Sequence, residues 1–250
     1  MPRAEVHKLM ERMAIPAIAA PMFLVSNPAL TLACCSEGLM GSFPAHGTRS
    51  REEFQAWLDE MVEGMKRLED AGRKPAPWAV NLVVHASNPR YQGDLELVEK
   101  YKVPVILTSK GAPGDAIKRI HGWGAVALHD IANRRHAEKA LEAGVDGVIA
   151  VAGGAGGHTG TINPFALMNE VRQLGDSFAV VLAGGQTTGR DVLAAEAMGA
   201  DLAYIGTRFI ATQEAMAAQA HKDMILGTRA TDVFLTASID GAPANWLTPS

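Results

Sequence analysis

Short apolar runs rich in valine, isoleucine and alanine recur along the chain. They are AIAAPM (17–22), LMGSFP (39–44), WAVNLVV (78–84), VPVILTS (103–109), AVALHDI (125–131), GVIAVAG (147–153), FAVVLAG (178–184) and LAYIGTRFI (202–210). Each is too short for a helix and too uniformly apolar for a strand with one wet face, so each predicts a buried parallel strand. Amphipathic patterns lie between them. The longest, EEFQAWLDEMVEGMKRLEDAG, spaces Phe54, Trp57, Met61, Met65 and Leu68 three or four apart and reaches Gly72 where a helix C-cap belongs. HAEKALEAG and DVLAAEAMGA end the same way, at Gly144 and Gly199, each followed closely by an aspartate and the next apolar run. The repeated G-V-D-G and G-A-D-L mark αβ loops in which glycine takes the left-handed cap.

Eight β–α units in a chain of 250 residues predict an α/β fold, a (β/α)8 TIM barrel, which typically needs ~250 residues. A doubly wound open sheet is the alternative. No Pro/Gly/Ser-rich linker divides the chain, so a single domain over 1–250 is expected. Past the eighth run, TQEAMAAQAHKDMIL predicts a helix, and the tail (228–250) ends on the apolar and aromatic VFLTASIDGAPANWLTPS. That tail is expected either to pack over the barrel mouth or to continue in a longer chain.

Composition narrows the function classes. At 48% hydrophobic and 20% charged residues the chain can build a continuous core, and no apolar window reaches the length of a membrane span. The N-terminus, MPRAEVHKLMERM, is charged and has no signal-like apolar run, so a cytoplasmic location is expected. A net charge of −4 argues against nucleic acid, whose backbone demands clustered Lys and Arg. Cys34 and Cys35, adjacent in LTLACCSEG, read as core thiols of a buried helix. Metal-ligand spacings such as H-E-x-x-H or C-x-x-C are missing, so no metal is expected.

In such a barrel, chemistry belongs to the loops after the strands. The seventh run ends in Leu182-Ala183-Gly184-Gly185 and the eighth passes into Ile205-Gly206-Thr207-Arg208. Loops at these two places form the phosphate pocket of many barrels, where glycine lets backbone N–H groups approach the anion. After the sixth run comes Gly153-Gly154-Ala155-Gly156-Gly157-His158-Thr159-Gly160. This flexible loop presents one titratable group, His158, suited to moving a proton near neutral pH. Asn81 interrupts the apolar third run and must find partners, either on a neighbouring strand or on a ligand. His46, His85, His129 and Asp130 follow or end strands and are expected near the mouth, whereas His7, His121, His136 and His221 read as surface or helix positions. Arg49 is either an anion holder or a solvated loop residue.

These residues carry a resemblance. AAPM (19–22), VNL (80–82), AGGHTG (155–160), LAGG (182–185) and GADLAYIGTRF (199–209) make the sequence similar to the nitronate monooxygenase (2-nitropropane dioxygenase-like) family, itself related to flavin-dependent enoyl-ACP reductases. The resemblance covers nearly the whole chain. It implies FMN with its phosphate at Gly184, Gly185, Gly206 and Thr207, and its ring system met by Met22, Asn81, Gly156 and Gly157. It also implies that His158 is the catalytic histidine. The substrate would be a small molecule, an alkyl nitronate or nitroalkane, turned over with O2 to a carbonyl compound and nitrite. The same residues suit an NAD(P)H-dependent flavin reductase of quinones or enoyl thioesters. They also suit, without flavin, a phosphate-gripping barrel that uses Lys110 or Asp130 as base. Barrels of this kind often form homodimers, but the sequence points to no interface. Where some relatives carry a lysine near the end of the fifth strand, this chain has His129-Asp130.

Overall fold

All eight apolar runs form strands in the computed structural model, which describes residues 2–248 apart from 86, 115 and 240. They are β1 (Ala17–Ala19), β2 (Gly41–Pro44), β3 (Trp78–Val83), β4 (Val105–Ser109), β5 (Val126–Ile131), β6 (Gly147–Val151), β8 (Ala179–Ala183) and β9 (Leu202–Ile205). Every pairing among them is parallel, in the order β1-β9-β8-β6-β5-β4-β3-β2. An Ile18–Met40 bridge joins the first and last members of that order. It is held by Ala19 N–H donating to Met40 O at 2.8 Å and Met40 N–H to Ala17 O at 3.2 Å. The sheet therefore closes into the TIM barrel expected, and the open-sheet alternative is excluded. A short strand β7 (Gly157–His158) lies in the loop after β6, outside the barrel.

The strands are apolar on both faces because each face has its own core. Ile18, Met40, Val105, Leu107, Val126, Leu128, Ile149, Val181 and Leu202 fill the barrel. Phe43, Val80, Ile106, Ala127, Val148, Val180 and Ala203 meet the surrounding helices. The inner core is closed from below by the helix α1 (Pro2–Met10), whose Val6 is 1% exposed and packs with the barrel interior.

The glycine caps behave as their sequence demands. Helix α3 (Arg51–Asp70) is followed by Gly72 at φ +77°, and Gly144 and Gly199 stand at +89° and +94°. The aspartates two residues on act as pins. Asp146 Oδ2 accepts from Ala127 N–H (2.8 Å) and the His121 ring (2.9 Å). Asp201 Oδ2 accepts from Val180 N–H (2.8 Å) and Arg172 (2.8 Å), while its Oδ1 meets Arg3 (2.9 Å) and His7 (2.8 Å). Each aspartate thus satisfies a buried N–H on the neighbouring strand and ties helices to the lower rim. Burial alone would raise the Asp201 pKa, but the donors from His7, Val180, Arg3 and Arg172 outweigh it and hold the carboxyl below its ordinary value.

Two expectations need correction. LAYIGTRFI is not one strand: β9 stops at Ile205, and Thr207–Ile210 form the short helix α9, with Phe209 N–H donating to Gly206 O at 2.8 Å. TQEAMAAQAHKDMIL is not one helix either, since only Gln219–Gly227 are helical. The stretch before it is an irregular series of bends, in which Met216 N–H donates to Val25 O (2.9 Å) and Ala215 and Ala217 are buried. The tail forms a hairpin, β10 (Val233–Thr236) with β11 (Ala244–Leu247), and β11 pairs antiparallel with β7.

Candidate active site

The C-terminal ends of the strands gather most of the residues singled out from the sequence. Met22 lies in the loop after β1, where its backbone N–H donates to Ser26 Oγ at 3.0 Å. Its side chain packs on the loop after β9: a Cβ placed on Gly206 would lie 3.5 Å from the Met22 Sδ. The β6 loop reaches the same place, because a Cβ on Gly156 would collide with the Thr207 hydroxyl. Gly154, at φ +98°, approaches Gly184 and Gly185, at +137° and +83°. Any side chain at these three positions would be strained, so the sequence keeps an exposed backbone surface here. Met22, Gly156, Gly184, Gly185, Gly206 and Thr207 therefore form one cluster over four successive strands of the ring, β6, β8, β9 and β1.

The N-terminus of the helix α8 (Gly189–Ala197), just beyond this cluster, is already occupied by a carboxylate. Asp191 Oδ2 accepts from the backbone N–H groups of Thr187 (2.9 Å) and Thr188 (2.7 Å), and from the hydroxyls of both. These bonds, led by the backbone donors of Thr187 and Thr188, hold its pKa at about 2. A second anion at that helix end would meet the charge of this carboxylate.

Gly157 and His158 are exposed, and the tail fixes their backbone. Gly157 is opposite Asn245 and His158 opposite Ala244 in the β7–β11 pairing. The Asn245 side chain donates to Ala155 O at 2.7 Å, and Thr159 N–H donates to Pro243 O at 3.1 Å. The run at 152–157 holds four glycines and two alanines, so its own composition fixes little. The hairpin supplies the order that the loop's own composition lacks.

Asn81 stands across the barrel from this cluster, 5% exposed. Its amide nitrogen donates to Leu107 O and to Ser109 Oγ, both at 3.0 Å, so its position is set by β4. Asp130 continues the interior face of β5 beyond Val126 and Leu128. Its Oδ1 is shut off from solvent without a hydrogen-bond partner, and burial raises its carboxyl to about 7. His129 does not line the interior. It alternates with Asp130, faces the helices, and bonds Thr108 Oγ1 through Nδ1 at 2.8 Å, and its pKa drops to about 4, mainly through burial. His46 stacks on Phe23 with ring centroids 5.5 Å apart, and burial lowers its pKa. His85 turns to Ser87 Oγ (2.7 Å), and Arg49 is exposed, its N–H on Glu53. Cys34 and Cys35 are buried in the helix α2 (Pro28–Ser36), and burial pushes both thiols up to about 12.

Comparison with known proteins decides the family. The nitronate monooxygenase family model matches residues 79–248, more than half of the chain. The chain belongs to the nitronate monooxygenase family. The family's members are flavin-dependent oxidoreductases. Among solved structures, FabK from Thermotoga maritima superposes with a TM-score of 0.84 at 27% identity, over 97% of this chain and 73% of that one. Nitroalkane oxidase from Streptomyces ansochromogenes superposes with a TM-score of 0.83 at 27% identity, over 96% and 78%. By sequence, the (3aS,4S,5R,7aS)-5-hydroxy-7a-methyl-1-oxo-octahydro-1H-indene-4-carboxyl-CoA dehydrogenase of Rhodococcus jostii is 30% identical over 91% of this chain and 61% of its own length. The chain spans between 44% and 61% of the length of this and other curated relatives. No helix among the described residues is long and apolar enough to cross a membrane.

Proposed function

We propose that the chain binds FMN across its barrel mouth and oxidises alkyl nitronates or nitroalkanes with O2, giving a carbonyl compound and nitrite. The observation that carries this reading is the junction of the β6, β8 and β9 loops. The loop that bears His158 abuts Thr207 and runs beside Gly184 and Gly185, to which this reading assigns the phosphate. The described residues suit the cofactor on two counts. Glycines at positive φ keep the backbone at 154, 184 and 185 bare of side chains, and Gly154 and Gly185 are exposed. Gln186 Oε1 and Trp246 Nε1, an acceptor beside the glycine pair and a donor on β11, are buried without partners.

When bound, FMN supplies the electron acceptor that substrate reduces and O2 reoxidises. The chain's own residues do the rest. Backbone N–H groups at 184–185 and 206–207 hold the phosphate. Met22, Asn81, Gly156 and Gly157 bound the ring system. Asn81 cannot swing away because β4 holds its amide. His158, on a strand pinned by β11, takes the α-proton of a neutral nitroalkane on an imidazole nitrogen; a nitronate arrives without that proton.

The Rhodococcus relative, named for a carboxyl-CoA substrate, favours a second reading. In it the same cofactor residues serve NAD(P)H-driven reduction of a quinone or thioester. FMN-loaded protein mixed anaerobically with an alkyl nitronate separates the two. Bleaching of the flavin absorbance supports the oxidase reading. An unchanged spectrum with nitronate but bleaching with NADH overturns it in favour of the reductase. A preparation that refuses FMN altogether returns the chain to a flavin-free phosphate-binding barrel.

A further inference from the structure

The interior of the barrel is mostly apolar, with Ser42 bonded to Ala19 O on one side and Tyr204 on β9, and its polar side chains gather along one arc. There β3, β4 and β5 bring three polar side chains side by side: Asn81, Ser109 and Asp130. Asn81 and Ser109 bond each other at 3.0 Å. Asp130 has no such arrangement, since its Oδ1 is buried and unpartnered. The inward-facing side chains of the strands on either side of it are Leu107 and Ser109 from β4, and Ile149 and Val151 from β6. None of these titrates. The titratable group that Asp130 acts on is Tyr204 on β9, whose hydroxyl pKa is raised well above its ordinary value by burial and by Asp130.

A buried carboxyl oxygen with nothing to bond is a standing cost unless a ligand meets it. The glycines after β8 and β9 lie opposite β3 and β4 in the ring of strands, with β5 two strands from β8. A ligand held by its phosphate at Gly184–Gly185 and reaching over the mouth ends against Asn81, Ser109 and Asp130. An amide, a hydroxyl and a protonated carboxyl together offer both donors and acceptors. That matches a ring edge on which N–H and C=O groups alternate, as on the pyrimidine side of a flavin.

We propose that Asp130 is a flavin-binding residue, which in its protonated form hydrogen-bonds the polar ring edge of a cofactor anchored by its phosphate at Gly184–Gly185. This rests on the FMN reading above. Ionisation puts a negative charge against the ring carbonyls and removes the donor, so affinity falls as pH rises. With the carboxyl held at about 7 by burial, the weakening sets in just above neutrality.

FMN affinity, read by quenching of flavin fluorescence from about pH 6 to about pH 9, tests this in the wild type and in Asp130→Asn. Asparagine keeps the shape and a donor but cannot ionise. The wild-type Kd is expected to rise about tenfold per pH unit above the carboxyl's value, and the variant's Kd to stay level beyond FMN's own titration, which both share. FMN binding with parallel profiles in the two proteins overturns the assignment of Asp130 and leaves the cofactor reading standing. Failure of the wild type to bind FMN at any pH overturns both. A second readout needs no variant to fold: the infrared band of a protonated carboxyl should shift when FMN is added to the wild type, and a band that ignores FMN refutes the contact.

Discussion

Replacing Asp201 with alanine tests the account of the lower rim most sharply. The substitution strips the Val180 N–H of its acceptor inside the sheet, and an unsatisfied buried donor costs ~1–3 kcal/mol. Arg172, with a side chain only 15% exposed, loses its ion pair. It keeps Gly199 O at 2.7 Å and Phe178 O at 3.3 Å, so the loss falls below the ~3–5 kcal/mol of a fully stranded buried charge. Arg3 and His7, at 31% and 49%, add little, since exposed pairs contribute ~0–1 kcal/mol each. The expected total is ~3–4 kcal/mol, or a Tm lower by ~6–8 °C at ~2 °C per kcal/mol for a chain of this length. Asp146→Ala is the internal control. It strands one N–H, on Ala127, and a His121 ring that is 41% exposed, so ~2 kcal/mol is expected. Urea unfolding followed by circular dichroism, with unchanged slopes, measures both. Acid adds a check of sign: the depressed Asp201 pKa means that its contribution is present above its ordinary value of 3.8 and disappears as pH falls below it. A loss under ~1 kcal/mol for Asp201→Ala, or one no larger than for Asp146→Ala, would refute the reasoning.

Three further outcomes follow from named contacts. A Cβ on Gly147 would lie 2.6 Å from Ala179 O and 2.9 Å from Leu128 Cδ2, so Gly147→Ala should cost ~1–3 kcal/mol in thermal unfolding. An unaltered Tm would show that the barrel interior is loose. Asp130, at about 7 instead of 3.8, keeps a proton that the unfolded chain releases, so wild-type stability should fall by up to ~4 kcal/mol as pH climbs between those values. Asp130→Asn should flatten that slope, and identical Tm–pH curves would exclude it. Asn245→Ala removes the bond to Ala155 O. Amide exchange in the β6 loop should then speed up ~5-fold for the ~1 kcal/mol lost while Tm barely moves, whereas unchanged exchange would mean that the tail does not order the loop.

The barrel was legible because its strands announce themselves twice, as runs apolar on both faces and as segments that follow glycine-capped helices. The same property hid the site's inner face. With both faces apolar, alternation in AVALHDI does not say whether His129 or Asp130 points inward, and only the partners do: Thr108 for His129, the interior cluster for Asp130. The G-x-D repeat could be read as a loop signature, but the donors that meet Asp201 come from Arg3, His7 and Arg172, up to 198 positions away. No local pattern records them. Gly206 did carry a signal that LAYIGTRFI breaks there, as glycine weakens a strand interior. The tail also carried one, in the apolar runs VFLT and ANWL separated by a stretch that holds Gly and Pro. That hairpin is what turns a glycine-rich loop into a defined edge. The chain thus fixes the backbone of its candidate catalytic histidine with residues some 85 positions downstream, and the loop's sequence is glycine-rich because its order comes from elsewhere.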